Sequence, residues 1–400
     1  MLNSVNTDLK QNHSKKKLLF INGHLKTGGV EKSLVDILNH LDYKKYDVDL
    51  LLLEGLGEYQ SSIPEDVHII LRPLQNTYGP FFKCIKQNIR NKDWFSLRMR
   101  LIFLLQKVFG SAVLSLTKKD LTGSGVYDCI VGFRSGICSD LAVGFPGSAK
   151  RIIWWHHGSG EALNSDYHQT AVRADHLISV SNYCRSMILE KFPDLEEKVT
   201  VIPNIVDKEL ITKKASEDCS KQTVLKTSIP IITSVSRISP EKHLQNILYT
   251  AAKLKNNGLR FVWHVVGDGE GLEELKKEST NLGLDSYVKF AGARENPYPY
   301  LNKADLFVHP SYVESQGLAV LEAMSLHVPC VVTASEGPKE YIQNGVNGIL
   351  TEKDPESLYK NVFTMLVDKE LREQIKQKTE LPDQFLPNGV IERLDQLLLN

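Results

Sequence analysis

Nothing in this sequence pairs its cysteines. The six (Cys84, Cys129, Cys138, Cys184, Cys219 and Cys330) include no C-x-x-C spacing. That excludes the common zinc and dithiol motifs and offers no disulfide framework. Cys129, Cys184 and Cys330 stand in apolar or helical patterns and read as small buried groups, as suits a reducing cytoplasm. Net charge is missing too: 48 Lys and Arg balance 48 Asp and Glu, whereas a nucleic-acid binder ordinarily shows a basic excess. No apolar run reaches the length needed to span a bilayer. Met1–Lys17 is polar and lacks the apolar core of a signal peptide. No repeat, low-complexity run or aspartate-rich metal motif is visible. The expectation is a cytoplasmic protein, associated at most with the inner face of a membrane.

What is present is alternation of short apolar runs with helical periods. Its 400 residues suggest two domains by length. Lys17–Ile21 reads as a buried strand, Asn22–Glu31 as a glycine-containing turn, and Val30, Leu34, Ile37, Leu38 and Leu41 fall at helical spacing. Strand, glycine loop and helix open a doubly wound α/β sheet, whose ligands collect at the strand C-termini. Further strands are read at Val48–Leu53, Asp128–Arg134, Arg151–Gly158, His176–Ser181 and Val199–Asp207. Thr212–Ser228 is polar and aperiodic, as in a linker. The alternation restarts at Ile231–Ser236 and continues through Val262–Val266 and Val288–Gly292.

One stretch organises the second half. Asp305–Val308 reads as a buried strand, and His309 to Met324 turns through Pro310 and Gly317 into a helix bearing Leu318, Leu321 and Met324. Pro329 then precedes the strand Cys330–Thr333. Glu314 and Glu322 on one continuous helix would lie roughly 80° apart, so Glu314 is placed in the loop and Glu322 on the second helical turn. The N–H groups of Ser315, Gln316, Gly317 and Leu318 then point out of the helix start, toward any phosphate or sugar oxygen there.

The company of these glutamates (His-Pro-Ser before, Gly-Leu-x-x-Leu-Glu-Ala-Met within, Pro-x-Val-x-Thr after) resembles retaining glycosyltransferases of family 4, the two-domain nucleotide-sugar enzymes with the GT-B fold. The resemblance implies two Rossmann-like α/β domains facing each other across a cleft. It implies a tail at 1–16, an acceptor-side domain at 17–207, a linker at 208–228, a donor domain at 229–382, and a segment 383–400 that returns to the first domain. It implies transfer from a nucleotide diphosphate sugar, most often a UDP-sugar, to a saccharide or lipid-linked acceptor, without metal or other cofactor. Bacterial surface polysaccharide or glycolipid synthesis is the usual setting.

The same resemblance distributes roles. Gly28 and Gly29, in the loop ending Gly-Gly-x-Glu, close over the donor diphosphate. Arg237 and Lys242, between a strand and a helix, neutralise the leaving diphosphate. Gly267 and Gly269 bring backbone close to the nucleotide side. Glu314 grips the sugar together with the N–H groups from Gln316 to Leu318, and Glu322 accepts from ribose hydroxyls. A histidine ending the Trp154-Trp155 strand points into the cleft; His156 fits the spacing and His157 stays open. Glu336 stands where relatives often carry glycine.

Two other classes compete: a non-catalytic partner subunit of the same fold, and a nicotinamide oxidoreductase. The latter needs Gly-x-Gly-x-x-Gly, and Leu272 stands where the third glycine belongs. Finally, 81–119 carries nine Lys and Arg, with Asp93 as its lone acid, among Trp94, Phe95, Leu101, Phe103 and their neighbours. That composition suits an anionic membrane interface or ordinary helices packed on the sheet, and both readings stand. Oligomeric state is not legible.

Overall fold

The computed structural model describes residues 15–74, 81–217 and 229–399. The polar tail up to residue 14, and 218–228 of the expected linker, lie outside them. Two parallel sheets organise the chain, each fed by helical crossovers. The first contains β1 (Lys16–Asn22), β2 (Tyr46–Leu52), β3 (Val67–Leu71), β4 (Cys129–Gly132), β5 (Lys150–Trp155), β6 (His176–Ser179) and β7 (Val199–Val201), in the order β3-β2-β1-β4-β5-β6-β7. The second contains β8 (Ile231–Val235), β9 (Val262–Val266), β10 (Val288–Gly292), β11 (Leu306–His309), β12 (Cys330–Thr333) and β13 (Ile349–Thr351), in the order β10-β9-β8-β11-β12-β13.

The continuous apolar runs follow from helices covering both faces of each sheet. Leu18 to Ile21 and Leu306 to Val308 are all buried. In each sheet the strand order reverses once, between β1 and β4 and between β8 and β11, and such reversals open a crevice at the strand C-termini. The Gly28-Gly29 loop follows β1, and the Glu314 turn follows β11. Both expected sites therefore sit at the positions the topology favours.

Two elements differ from the sequence reading. β3 was not expected; Val67–Leu71 is a partly exposed edge strand without a sustained apolar run. Lys208–Ala215, read as linker, is a helix capped by the Asp207 side chain. Ile211 and Ala215 are buried with Leu301, Val320 and Met324 of the second domain, and this packing overrides its polar composition.

The last helix, Pro387–Leu399, lies on the first domain, where Val390, Leu394 and Leu398 join the core of Leu18, Tyr46 and Cys129. Asp395 accepts from the Tyr46 hydroxyl at 2.8 Å. The Val206 N–H donates to the Phe385 carbonyl at 2.9 Å, tying the two interdomain crossings together. No helix among the described residues is long and apolar enough to cross a membrane.

Candidate functional site

The Glu314 turn is built as read. β11 ends at His309, the helix Leu318–Ser325 begins after Gly317, and Gly317 takes φ +80°, a conformation that favours glycine. The Lys242 ammonium lies 2.7 Å from Glu314 Oε1, and His309 Nε2 lies 2.7 Å from the same oxygen. An ionised carboxylate only accepts, so His309 carries its proton on Nε2. Burial alone would raise the Glu314 pKa. The Lys242 charge and the His309 hydrogen bond outweigh it and hold the carboxyl well below the usual range. Among the described residues, no group accepts from the N–H of Ser315, Gln316, Gly317 or Leu318.

Lys242 and Arg237 part company. Arg237 pairs with Glu241 at 3.0 Å, its side chain 71% exposed. Of the two expected cations, only Lys242 touches Glu314. Gly267 and Gly269 lie in the turn that follows β9. Their bare Cα positions face protein backbone, because a Cβ at Gly267 would stand 1.9 Å from the Ser236 carbonyl oxygen and one at Gly269 2.2 Å from that of Ile238. The Ile238 N–H donates to the Asp268 carbonyl at 2.8 Å, so this turn is laced onto the Arg237 loop. Its close approach supports that loop.

The Gln316 side chain is also committed. Its Oε1 accepts from the Asn204 N–H at 2.9 Å, and its Nε2 donates to the Asn204 carbonyl at 3.3 Å. Its backbone carbonyl accepts from the Tyr341 hydroxyl at 2.9 Å. The Ser315 backbone is gripped on two sides: a Cβ at Gly158 would come within 2.6 Å of its nitrogen, and one at Gly337 within 2.6 Å of its oxygen. Gly158 belongs to the first domain, so the domains meet at the carboxylate turn itself. A second meeting point lies at Gly29, where an added Cβ would stand 3.8 Å from Leu318. The corresponding space beside Gly28 is filled by the Glu31 carboxylate. A third is Glu340, which accepts from the N–H groups of Asn182 and Tyr183 at 3.1 and 2.6 Å, offering a carboxylate to a helix N-terminus.

The two histidines after β5 differ. His156 packs against the rings of Phe133 and Trp154, and its buried Nε2 has no partner among the described residues. Burial, then His157, lower its pKa to about 3. His157 Nε2 lies 2.6 Å from the Ser135 hydroxyl, and burial lowers its pKa as well, helped by Arg134. The first-domain crevice holds a further group that sequence reading did not single out. Arg134 lies 3.1 Å from His24 Nε2 and 3.7 Å from Glu31, with Glu54 4.0 Å away. These side chains can donate to and accept from hydroxyls of a polar molecule.

Glu322 is buried and faces the first domain. Lys32 reaches it at 3.3 Å, and the Tyr298 hydroxyl donates to it at 3.3 Å. Burial, reinforced by Asp36, raises its pKa against the pull of Lys32. Among the described residues, no three His, Cys, Asp or Glu side chains form a group that could hold a metal ion.

Residues 216–381 match the model of the family described as glycosyl transferases group 1. The chain is similar to the lipopolysaccharide core biosynthesis glycosyltransferase LpsE of Rhizobium meliloti, with 30% identity over 42% of this chain and 49% of that protein. It is also similar to the UDP-Gal:alpha-D-GlcNAc-diphosphoundecaprenol alpha-1,3-galactosyltransferase of Escherichia coli, with 29% identity over 48% and 51%. The matched region thus spans about half the length of these curated relatives. The structure of Anabaena Alr3699/HepE in complex with UDP and glucose superposes with a TM-score of 0.73 at 20% identity, covering 96% of this chain and 100% of that one. At that identity the likeness establishes the fold, which is GT-B.

Proposed function

We propose, from a GT-B chain whose residues 216–381 match the glycosyl transferases group 1 model, that the protein transfers a sugar from a nucleotide diphosphate sugar to a saccharide or lipid-linked acceptor with retention of anomeric configuration. One observation carries the reading: a buried carboxylate, ionised by Lys242 and His309, beside four N–H groups at a helix start that have no partner among the described residues. Fixed donors in a site closed to water stabilise charge that develops on a leaving phosphate. Glu314, the N–H groups from Gln316 to Leu318, and Lys242 receive the sugar and diphosphate, with Arg237 at the rim. Metal is not required in this account.

The acceptor hydroxyl enters from the first domain, and its oxygen bonds to the anomeric carbon on the face the diphosphate leaves. Its proton passes to the departing phosphate oxygen, giving a nucleoside diphosphate. Glu314 positions and does not attack. The free Nε2 of His156 supports that residue as the cleft histidine, since the Nε2 of His157 is taken by Ser135. UDP is the expected nucleotide, supported by the names of the Escherichia coli relative and the Anabaena structure. The exposed face of Trp94–Phe109 supports a lipid surface as the acceptor's setting: Trp94, Leu101, Val108 and Phe109 are all more than half exposed.

Thermal melting against a panel of UDP-, GDP-, ADP-, CMP- and dTDP-sugars tests the donor. A ligand at 100 times its Kd adds about 2.7 kcal/mol, so a UDP-sugar should raise Tm visibly. Silence from every donor, with the protein folded, would defeat the reading and favour a non-catalytic partner of the same fold.

A further inference from the structure

We propose that Lys32 is a positioning residue for the donor nucleoside: reaching across the cleft from the first domain, it keeps the Glu322 carboxylate ionised and oriented to accept from ribose hydroxyls. This rests on the reading of Glu322 as the ribose acceptor.

Lys32 is the fourth residue of the helix Gly29–His40. In sequence it looks like an ordinary solvated lysine of the first turn. In the structure its side chain is only 17% exposed, and its ammonium lies 2.7 Å from Asp36 Oδ2 and 3.3 Å from Glu322 Oε1. Asp36 lies one turn along the same helix, so the first domain holds the cation in place before Glu322 arrives. Burial works against the ammonium, but Asp36, Tyr298 and Glu322 hold its pKa well above the ordinary value.

The groups facing Glu322 are Lys32 and Asp36 from that helix, Tyr59 from the short turn Glu58–Ser62, and Tyr298 from Tyr298–Asn302. Lys32 is the one cation among them. Remove it, and a buried carboxyl is left beside a second carboxylate, which drives proton uptake. A protonated carboxyl is a weaker acceptor for two neighbouring hydroxyls than a carboxylate. Both protein contacts fall on Oε1. Among the described residues, Oε2 takes no hydrogen bond and remains for a ligand. The donor site on the second domain is therefore completed by a charge from the first.

The test is calorimetric titration of UDP into the wild-type chain and Lys32→Met, Lys32→Arg, Glu322→Gln and the Met/Gln double variant, between pH 5.5 and 8.5. Lys32→Gln substitutes if the Met variant fails to melt cooperatively. Glu322→Gln should weaken UDP binding about tenfold or more at every pH. Lys32→Met should weaken it strongly at pH 6 and recover toward pH 8.5, because the carboxyl, without its cation, titrates higher. Arg should restore the wild-type profile, and the double variant should bind no worse than Glu322→Gln alone. If Lys32→Met lowers Tm but keeps the wild-type affinity and pH profile, Lys32 is only a structural latch and the proposal is overturned. If Glu322→Gln binds UDP like the wild type, the ribose reading fails by itself and the proposal falls with it. Wild-type protein that ignores UDP would remove the UDP-donor premise beneath both.

Discussion

His156 shows what burial does to a single side chain. Its ordinary pKa of 6.5 falls to about 3 in the folded protein, through burial and the neighbouring His157. A group with a depressed folded pKa stabilises the protein above its unfolded pKa and loses that contribution as pH falls toward the folded one. Here the window runs from 6.5 down to about 3. Between pH 7 and pH 5 the loss is about 2 kcal/mol. Wild type should therefore lose that much stability relative to His156→Phe on acidification, as read by urea unfolding at the two values. A pH-independent gap would mean that His156 is not held neutral. Glu314 and Glu322 were legible as a pair because their flanks are distinctive. Lys32 was not, since a lysine in a helix's first turn ordinarily points to water, and only the second domain buries it. The commitment of Gln316 to Asn204 was hidden for the same reason: its partner lies 112 positions away.

Among elements, the strands most legible in sequence were the fully buried ones, where an apolar run has no competing interpretation. β3 lies at the sheet edge, and with Val67 as its one fully buried position it has no pattern that stands out. The helix Lys208–Ala215 shows the converse, a polar composition fixed by two buried residues. The helix Trp94–Phe109 has features of both readings of the basic segment. Met99 and Ile102 are buried against the first domain, while Trp94, Leu101 and Val108 face outward. Basic residues exposed around them include Arg90, Lys92, Arg98 and Lys107. An apolar face with a basic rim is suited to anionic lipid. Co-sedimentation should show binding to phosphatidylglycerol vesicles, little to phosphatidylcholine vesicles, and loss of binding in Trp94→Ser/Val108→Ser. Equal binding to both vesicle types, or none, would leave this face as a plain protein surface.

Across the whole molecule, the two-domain architecture was legible from the restart of α/β alternation after residue 230. The closeness of the domains was not, because the glycine that permits it at the carboxylate turn, Gly158, looks like an ordinary turn residue. Leu394 belongs to the same scale. It is fully buried in the first domain although it lies near the other end of the numbering. Leu394→Ala should cost about 2–5 kcal/mol, seen as a lower denaturant midpoint for the first domain. An unchanged midpoint would mean that the last helix only rests on that surface.

That return of the last helix has a consequence for how such a chain can be divided. A ribosome that has completed β7 has not yet made the material that completes the first core, because Val390, Leu394 and Leu398 come nearly two hundred residues later. Until then the forming domain shows an apolar gap, and the second domain can complete its own sheet first. A hybrid protein built by swapping halves at the linker would join a first domain to a foreign closing helix. Two cuts, one before Lys208 and one before Pro387, are needed to exchange the donor half as a unit.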